Sequence, residues 1–252
     1  MSKSTQQSYY NQHYSISDST AWKTWVPKAN FVEKQNLSEF KNSFWQADAQ
    51  ESVLAALAEF APFDAVLDIG CSAGDFLIPL SRASTRVYGV DIVDFSVAWK
   101  LLRHEYGICC QQLNLDYANL PFDNSSFDVV TMLMVLEHVF DVHHAVREIA
   151  RVLKKGGVVA IQVPNIAYLK HRIDLLKGKL PCTSDTTKSD NQTEWDGQHL
   201  HYFTLASLDS LLKQYGLHRQ KVQCSGKLVG LRQLRPSFLG ADLTVFARKL
   251  AE

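Results

Sequence analysis

The sequence predicts an α/β fold with a doubly wound, mostly parallel sheet. Two observations lead to this: short apolar runs recur along the chain, and segments with helical apolar spacing separate them. The apolar runs predict strands at residues 65–70, 86–91, 107–113, 127–133 and 157–163. The intervening segments predict helices near residues 74–83, 94–105 and 141–154. Strict alternation of this kind is typical of a parallel sheet with helices on both faces.

The regions on either side of this repeat follow other patterns. Residues 50–60 have apolar side chains at helical spacing, and Pro62 ends that helix before the first strand. After the repeat, a helix at 205–215 ends at Gly216 and precedes a strand at 218–224. A loop rich in Gly, Arg and Pro then leads to a last strand at 242–248.

Residues 164–203 are too long for an ordinary connection. They contain a basic helical stretch and a polar run, and they leave the carboxyl end of the fifth strand. Long loops in compact domains are usually lids or binding loops, and open α/β sheets bind ligands at the carboxyl ends of their strands. The sequence therefore predicts a lid insertion at 164–203, with Pro164 and Gly197 as hinges, that closes over a bound acceptor.

Composition limits the possible partners. The chain has 252 residues, with 26 Lys and Arg against 26 Asp and Glu, so it has no basic surplus for neutralising nucleic-acid phosphates. Its five cysteines, an odd number, argue against a disulfide framework. The N-terminal residues have no apolar export segment and no run approaches the length of a membrane span. We expect a cytoplasmic protein that acts on a small molecule, without nucleic acid or membrane, as a monomer or homodimer.

The turn after the first predicted strand indicates a nucleoside ligand. Residues 66–76 form a buried apolar run that passes through Gly70 and Gly74 into a helix, where bare backbone can approach a ligand. The next strand ends at Asp91, about 20 residues after the first glycine, where nucleoside-binding βαβ units place the acid for ribose hydroxyls.

The same turn argues against a dinucleotide. Ser72 stands where the G-x-G-x-x-G pattern needs its middle glycine, and no third glycine follows in register. The turn carries Asp68 and Asp75 but no Lys or Arg, which does not suit a pyrophosphate. An acidic turn suits a cofactor with an ammonium and a sulfonium, namely S-adenosyl-L-methionine.

At this point the sequence resembles the class I S-adenosylmethionine-dependent methyltransferases, in particular the ubiquinone-biosynthesis-like branch of small-molecule enzymes. After residues 66–91 the matching blocks are 114–122, 126–130, 136–139 and 147–157, so that the resemblance covers roughly residues 50–225. It implies a seven-stranded Rossmann-like sheet whose last strand is antiparallel, with S-adenosyl-L-methionine as methyl donor. It also implies that the aromatic-rich residues 1–48 form a helical cap over the cofactor cleft, ahead of a catalytic domain at 49–252. Plain packing on the outside of the sheet is the alternative for this cap.

The resemblance implies cofactor contacts at ten positions. The positions for the methionyl part are Asp68, Gly70, Cys71, Ser72, Gly74 and Met132. The positions for ribose and adenine are Asp91, Ile92, Asp116 and Tyr117. Taken singly, Asp68 also fits a helix N-cap and Asp91 also fits a turn acid; their combined spacing favours cofactor binding.

Two histidines are candidates for catalysis. His138 follows the fourth strand and His201 lies at the end of the lid, and a histidine titrates near the pH at which an acceptor hydroxyl must lose its proton. Each also fits a structural role, at a helix start or in orienting the lid. His199 lies beside His201 as a further candidate. The adjacent His143 and His144 predict a solvated helix surface, and no metal site is expected.

Three other functions compete with methyl transfer to oxygen. Residues 70–74 match the G-x-S-x-G elbow of serine hydrolases, but that function leaves Asp91 and the 136–139 block without roles and lacks an upstream oxyanion motif. Methyl transfer to nitrogen is the second alternative. The third is a non-catalytic S-adenosylmethionine-binding module, against which the long lid and the aromatic cap argue because they favour enclosure of a substrate.

Overall fold

The computed structural model describes residues 26–41, 43, 45–183 and 199–250. Its main element is a seven-stranded sheet in the order β4-β3-β2-β5-β6-β9-β7, and a two-stranded ribbon pairs β1 with β8. The strands are β1 Gln46–Ala47, β2 Phe63–Ile69, β3 Ser84–Asp91, β4 Cys109–Gln112, β5 Phe127–Leu133, β6 Leu153–Pro164, β7 Leu217–Gln223, β8 Gly226–Lys227 and β9 Asp242–Lys249.

Strand directions confirm the predicted doubly wound sheet. β4, β3, β2, β5 and β6 pair in parallel, whereas β9 lies antiparallel between β6 and β7. The chain winds outward from β2 to β4, then returns to the other side of β2 at β5. The carboxyl ends of β2 and β5 therefore flank the point at which the order of strands reverses, where open α/β sheets bind their ligands.

Helices cover both faces of the sheet. They are α1 Ala29–Glu33, α2 Ala49–Leu57, α3 Leu77–Ser81, α4 Ser96–Tyr106, α5 Val142–Val152, α6 Leu169–Leu176, α7 Leu205–Lys213, α8 Val229–Arg232 and α9 Pro236–Leu239. One buried cluster joins the sheet to α5 and α7, and a second joins it to α2, α3 and α4. The apolar residues of β2 contribute to both clusters, which is why that strand reads as a nearly continuous apolar run.

The described part of the N-terminal segment packs on the helical layer of α2 and α3. Phe31 and Phe40 are buried there with ring centroids 5.8 Å apart in an edge-on contact. The Arg82 guanidinium donates to the backbone carbonyls of Phe31, Val32 and Lys34, which fixes α1 to the end of α3. Residues 1–25 of the cap predicted for residues 1–48 lie outside the described residues.

Several predicted boundaries differ from the structure. The helix predicted at 141–154 ends at Val152, because β6 begins at Leu153 and pairs with β5 from its first residue. The predicted loop after β7 contains β8, α8 and α9, whose short helices carry no long apolar pattern. The predicted lid contains α6, and its residues 184–198, with the predicted hinge Gly197, lie outside the described residues.

All five cysteines are free thiols. Within the described residues no helix is long and apolar enough to span a membrane.

Candidate functional site

A cavity of about 400 Å³ opens at the carboxyl ends of the central strands. Its volume lies in the range of small-molecule sites. The lining residues are Ile69, Gly70, Ser72, Val90, Asp91, Ile92, Val93, Phe95, Leu113, Asn114, Leu115, Asp116, Leu133, Met134, Val135, His138 and Val139. Most of these are apolar, and the charged members are two carboxylates, with no Lys or Arg among them.

The turn after β2 is tied to the end of β3. The amides of Gly70 and Cys71 both donate to the Val90 carbonyl, at 2.8 and 3.1 Å. Gly70 and Ser72 have φ values of 81° and 50°, in the left-handed region. A serine at such a φ is uncommon, and a glycine there is free of that strain.

Packing is a further reason for the two glycines, beside the tight turn and ligand approach that the sequence predicts. A Cβ on Gly70 would overlap a methyl group of Val135, and a Cβ on Gly74 would overlap Leu102. Gly70 thus allows the turn after β2 to lie directly against the turn after β5. These two turns form adjacent walls of the cavity.

Asp91 links the turn to the following loop. One carboxylate oxygen accepts from the Ser72 amide and the other from the Val93 amide, each at 2.8 Å. A carboxylate has about four lone-pair directions, so Asp91 keeps acceptor capacity on the cavity wall. Burial raises the pKa of Asp91 above its ordinary value, and the backbone amides that it accepts from limit the rise.

Asp116 brings together two loops on the other side of the cavity. Its carboxylate accepts from the amides of Phe140 and Asp141, at 2.8 and 3.2 Å, so the loop after β4 is joined to the start of α5. Its own amide donates to the Asn114 side chain at 3.0 Å. Asn114, which the sequence did not single out, also lines the cavity.

Six of the sequence-predicted site residues line the cavity and six lie outside its lining. The first group is Gly70, Ser72, Asp91, Ile92, Asp116 and His138. The second group is Asp68, Cys71, Gly74, Tyr117, Met132 and His201.

Met132 shows that the direction in which a side chain leaves its strand decides whether the residue lines the cavity. It is fully buried in the core beneath α5 and α7. Its neighbours Leu133 and Met134 line the cavity instead. Met134 has a φ of 57°, so the chain turns sharply there as it leaves β5. The alternation of β5 carries no signal for this turn.

Asp68 is buried inside the sheet, beside its register partner on β5. Its carboxylate accepts from the Thr131 hydroxyl at 2.6 Å, and the two residues are directly paired across β2 and β5. Burial raises the pKa of Asp68 from 3.8 to about 7, and the hydrogen bond from Thr131 opposes that rise. The native state therefore holds this proton more tightly than the unfolded chain does.

This shift predicts a pH dependence of stability. Because the folded-state pKa is raised, the stability associated with protonated Asp68 is present below pH 4 and is lost as pH rises towards 7. Between pH 4.5 and 7.5 the wild type should lose about 2–4 kcal/mol of unfolding free energy relative to Asp68→Asn. Urea denaturation at both pH values measures this, with Asp123→Asn, an exposed carboxylate, as control. Parallel pH curves for wild type and Asp68→Asn would contradict the assignment.

The turn after β5 carries a buried acid next to two histidines. The Glu137 side chain is fully buried, and neither of its carboxylate oxygens has a hydrogen-bond partner. The His138 Nε2 lies 3.9 Å from the nearer oxygen, and the rings of His138 and His199 are 4.8 Å apart. Burial raises the pKa of Glu137 from 4.5 to about 8.

Backbone contacts hold the end of the predicted lid against this turn. The Glu137 carbonyl accepts from the amides of Leu200 and His201, at 2.8 and 3.1 Å. The His199 Nδ1 is hydrogen-bonded to the Thr183 hydroxyl at 2.6 Å, and the His201 Nε2 lies 3.3 Å from the Phe140 carbonyl. His199 is thus directed at the Glu137 turn, whereas the His201 ring is directed away from the cavity lining.

The sheet, with its antiparallel strand, and the acidic cavity at the point where its strand order reverses match the methyltransferase class that the sequence resembles. A family model described as "Methyltransferase domain" matches residues 42–221, and the chain belongs to this family.

Two named relatives match part of the chain. A demethylmenaquinone methyltransferase of Staphylococcus aureus is 38% identical over 37% of this chain and 40% of its own length. A 27-O-demethylrifamycin SV methyltransferase of Amycolatopsis mediterranei is 34% identical over 43% of this chain and 41% of its own length. The matched region thus spans about two fifths of each relative.

The fold as a whole is shared with a solved structure of a Burkholderia thailandensis enzyme, 1,6-didemethyltoxoflavin-N1-methyltransferase, with bound S-adenosylhomocysteine. The TM-score is 0.60 at 17% sequence identity, and the match covers 100% of this chain and 92% of the Burkholderia chain. An S-adenosylmethionine-dependent methyltransferase from Mesorhizobium loti has a TM-score of 0.56 at 19% identity, over 79% of this chain and 98% of its own.

Proposed function

We propose that the protein transfers the methyl group of S-adenosylmethionine to a small-molecule acceptor, at an oxygen atom. The observation that carries the proposal is that Asp91, Asp116 and His138 line the same cavity at the carboxyl edge of the sheet. Two carboxylates lie in a mostly apolar lining, and His138 comes from the turn that the end of the predicted lid contacts.

The charges of the lining suit this cofactor. S-adenosylmethionine carries a sulfonium and an ammonium, and the cavity supplies carboxylates without a competing Lys or Arg among its lining residues. Apolar side chains such as Ile92 and Leu115 provide a surface for an adenine ring. The acceptor capacity left on Asp91 suits ribose hydroxyls, which donate hydrogen bonds.

The bound cofactor supplies an activated methyl carbon: the carbon–oxygen bond to the acceptor forms as the carbon–sulfur bond breaks with its electron pair on sulfur, and the hydroxyl proton is released. The protein's own residues then have two tasks. The walls around Asp91 and Asp116 hold the cofactor in place, so that positioning supplies much of the rate. We propose that His138 contacts the acceptor hydroxyl, since it is the histidine among our two catalytic candidates that lines the cavity.

Oxygen is favoured as the acceptor atom because a hydroxyl must lose a proton and His138, a potential general base, lines the cavity. The rifamycin relative is an O-methyltransferase by name, whereas the toxoflavin enzyme is named as an N-methyltransferase. Transfer to nitrogen is therefore the second candidate. Basic residues near the predicted lid are weak evidence that the acceptor is acidic, because two of them already contact aromatic rings. Arg172 lies over the Phe238 ring at 5.4 Å, and Arg232 lies over the Tyr168 ring at 5.5 Å.

Cofactor binding tests the first half of the proposal. Asp91→Ala should weaken S-adenosylhomocysteine binding by roughly 1.5–3 kcal/mol, the range for a hydrogen bond to a charged group, as measured by isothermal titration calorimetry. Asp64→Ala is the matched control, because Asp64 is an exposed acid near the opposite end of β2 and pairs with Arg86. Binding of NADH instead, or equal affinity of wild type and Asp91→Ala, would exclude the proposal.

Turnover tests the second half. Radiolabelled S-adenosylmethionine and a panel of hydroxylated and amine-containing metabolites should give labelled product with a hydroxylated member. Product formation would distinguish an enzyme from a binding module that only keeps the cofactor cavity. Labelling of an amine alone would favour the nitrogen alternative, and methylation only of nucleic acid or protein would contradict a small-molecule acceptor.

A further inference from the structure

Glu137, His138 and His199 place three potential metal ligands at one point. One ligand atom from each, a carboxylate oxygen and two imidazole nitrogens, lie within 4.8 Å of one another. Two of the residues are adjacent in the turn after β5, and the third comes from the far end of the predicted lid. Folding alone does not require this convergence, since the Glu137 backbone already holds the lid through Leu200 and His201.

The buried carboxylate is the strongest indication of a ligand. The Glu137 side chain has 0% exposure, and both of its oxygens are unpartnered. A buried polar group without a hydrogen-bond partner costs free energy, and such groups in native proteins call for an explanation such as a bound ion. His138 does not satisfy the carboxylate, because its Nε2 is 3.9 Å from the nearer oxygen, beyond hydrogen-bond length.

We propose that Glu137, His138 and His199 bind a divalent first-row transition metal ion at the wall of the methyl-transfer cavity. The separation of up to 4.8 Å between ligand atoms is compatible with a central ion after a small adjustment of the side chains, because bonds of about 2.0–2.2 Å place two ligand atoms on opposite sides of an ion about 4 Å apart.

The chemistry of the ligands selects the class of metal. Two imidazoles and one carboxylate suit zinc or ferrous iron, whereas magnesium and calcium prefer oxygen ligands throughout. Three protein ligands leave coordination positions open for water or substrate. The hydrogen bond between His199 Nδ1 and the Thr183 hydroxyl orients the ring, as outer-shell partners of metal-binding histidines do.

The location gives the metal a role in the proposed reaction. His138 lines the cavity, so an ion bound by it lies beside the acceptor. A metal ion lowers the pKa of a bound hydroxyl by Lewis-acid polarisation. This role rests on the proposed function, and it makes His138 a metal ligand at the acceptor rather than a free general base. The binding site itself does not depend on the identity of the acceptor.

Cobalt(II) titration of the full-length, metal-stripped protein tests the proposal. We expect one Co²⁺ per chain, with visible absorption bands of an ion bound by nitrogen and oxygen, and displacement by Zn²⁺. Glu137→Gln and His199→Ala should each weaken Co²⁺ binding by at least about 100-fold, and Thr183→Val by about 10-fold, because an outer-shell partner contributes less than a ligand does.

His104→Ala is the matched control, since His104 and Glu105 are an exposed His–Glu pair with side chains 2.8 Å apart. It should bind Co²⁺ as the wild type does. S-adenosylhomocysteine binding, measured on the same samples, reports whether each variant is folded; Thr183→Val keeps the test valid where a ligand variant does not fold. Absent Co²⁺ binding, or affinity unaffected by Glu137→Gln and His199→Ala, would overturn the metal site. If the wild type does not bind S-adenosylhomocysteine, the proposed function is overturned instead.

Discussion

Replacing His138 by alanine is expected to lower kcat by about 10²–10⁴ while S-adenosylhomocysteine affinity stays close to that of the wild type. His138 lines the cavity on the turn after β5, whereas the proposed ribose and adenine contacts lie on the loops after β3 and β4. The substitution therefore removes the side chain nearest the proposed acceptor and leaves Asp91 and Asp116 in place. Single-turnover kinetics with labelled S-adenosylmethionine measures the chemical step, and calorimetry measures cofactor binding.

His201→Ala is the control for this experiment. Its ring lies outside the cavity lining, with Nε2 at 3.3 Å from the Phe140 carbonyl, so kcat should fall by less than about tenfold. A fall below tenfold in both variants would mean that positioning alone drives transfer and that neither histidine takes part. The Co²⁺ affinity of His138→Ala distinguishes two roles of His138. If His138 is a metal ligand, the variant loses both kcat and Co²⁺ binding; if His138 is a general base, the variant loses only kcat.

Gly70→Ala is expected to destabilise the protein by roughly 2–5 kcal/mol. About 1–2 kcal/mol comes from an L-residue in the left-handed region, where Gly70 has a φ of 81°. About 1–3 kcal/mol more comes from overpacking, because the added methyl would overlap Val135. Urea denaturation measures the loss in unfolding free energy. S-adenosylhomocysteine affinity should fall as well, since both turns line the cavity.

Two further variants separate these contributions. Gly107→Ala has the same kind of strain, with a φ of 68°, but its added methyl would meet no heavy atom within 4 Å. It should therefore cost only about 1–2 kcal/mol. In a double-mutant cycle Val135→Ala should recover part of the loss in Gly70→Ala, because it removes the overlapping methyl. Equal costs for Gly70→Ala and Gly107→Ala would contradict the packing argument.

The central sheet could be predicted from the sequence because its signals are local. Each buried parallel strand is an apolar run bounded by a turn, and each helix repeats apolar residues every three to four positions. The same locality explains why Gly70, Asp91 and Asp116 could be singled out. Gly70 follows β2, Asp91 is the last residue of β3 and Asp116 lies in the loop after β4, and parallel strands deliver such residues to one edge of the sheet.

The antiparallel position of β9 depended on the resemblance rather than on any local pattern. β9 is as apolar as the parallel strands, and only its pairing between β6 and β7 shows its direction. Boundaries also required the tertiary structure. Leu153 continues the helical apolar spacing of α5 but pairs with Phe127, so strand pairing ends the helix there.

By itself the sequence determined the fold class, the family and the edge of the sheet that carries the site. Tertiary structure alone decided which side chains reach that site. Met132 belongs to the core and its two successors to the cavity, because the chain turns at Met134. Likewise Glu137 and His199 meet only because the end of the lid returns to the turn after β5. Contacts between residues so distant along the chain depend on packing, and packing has no period that a sequence displays.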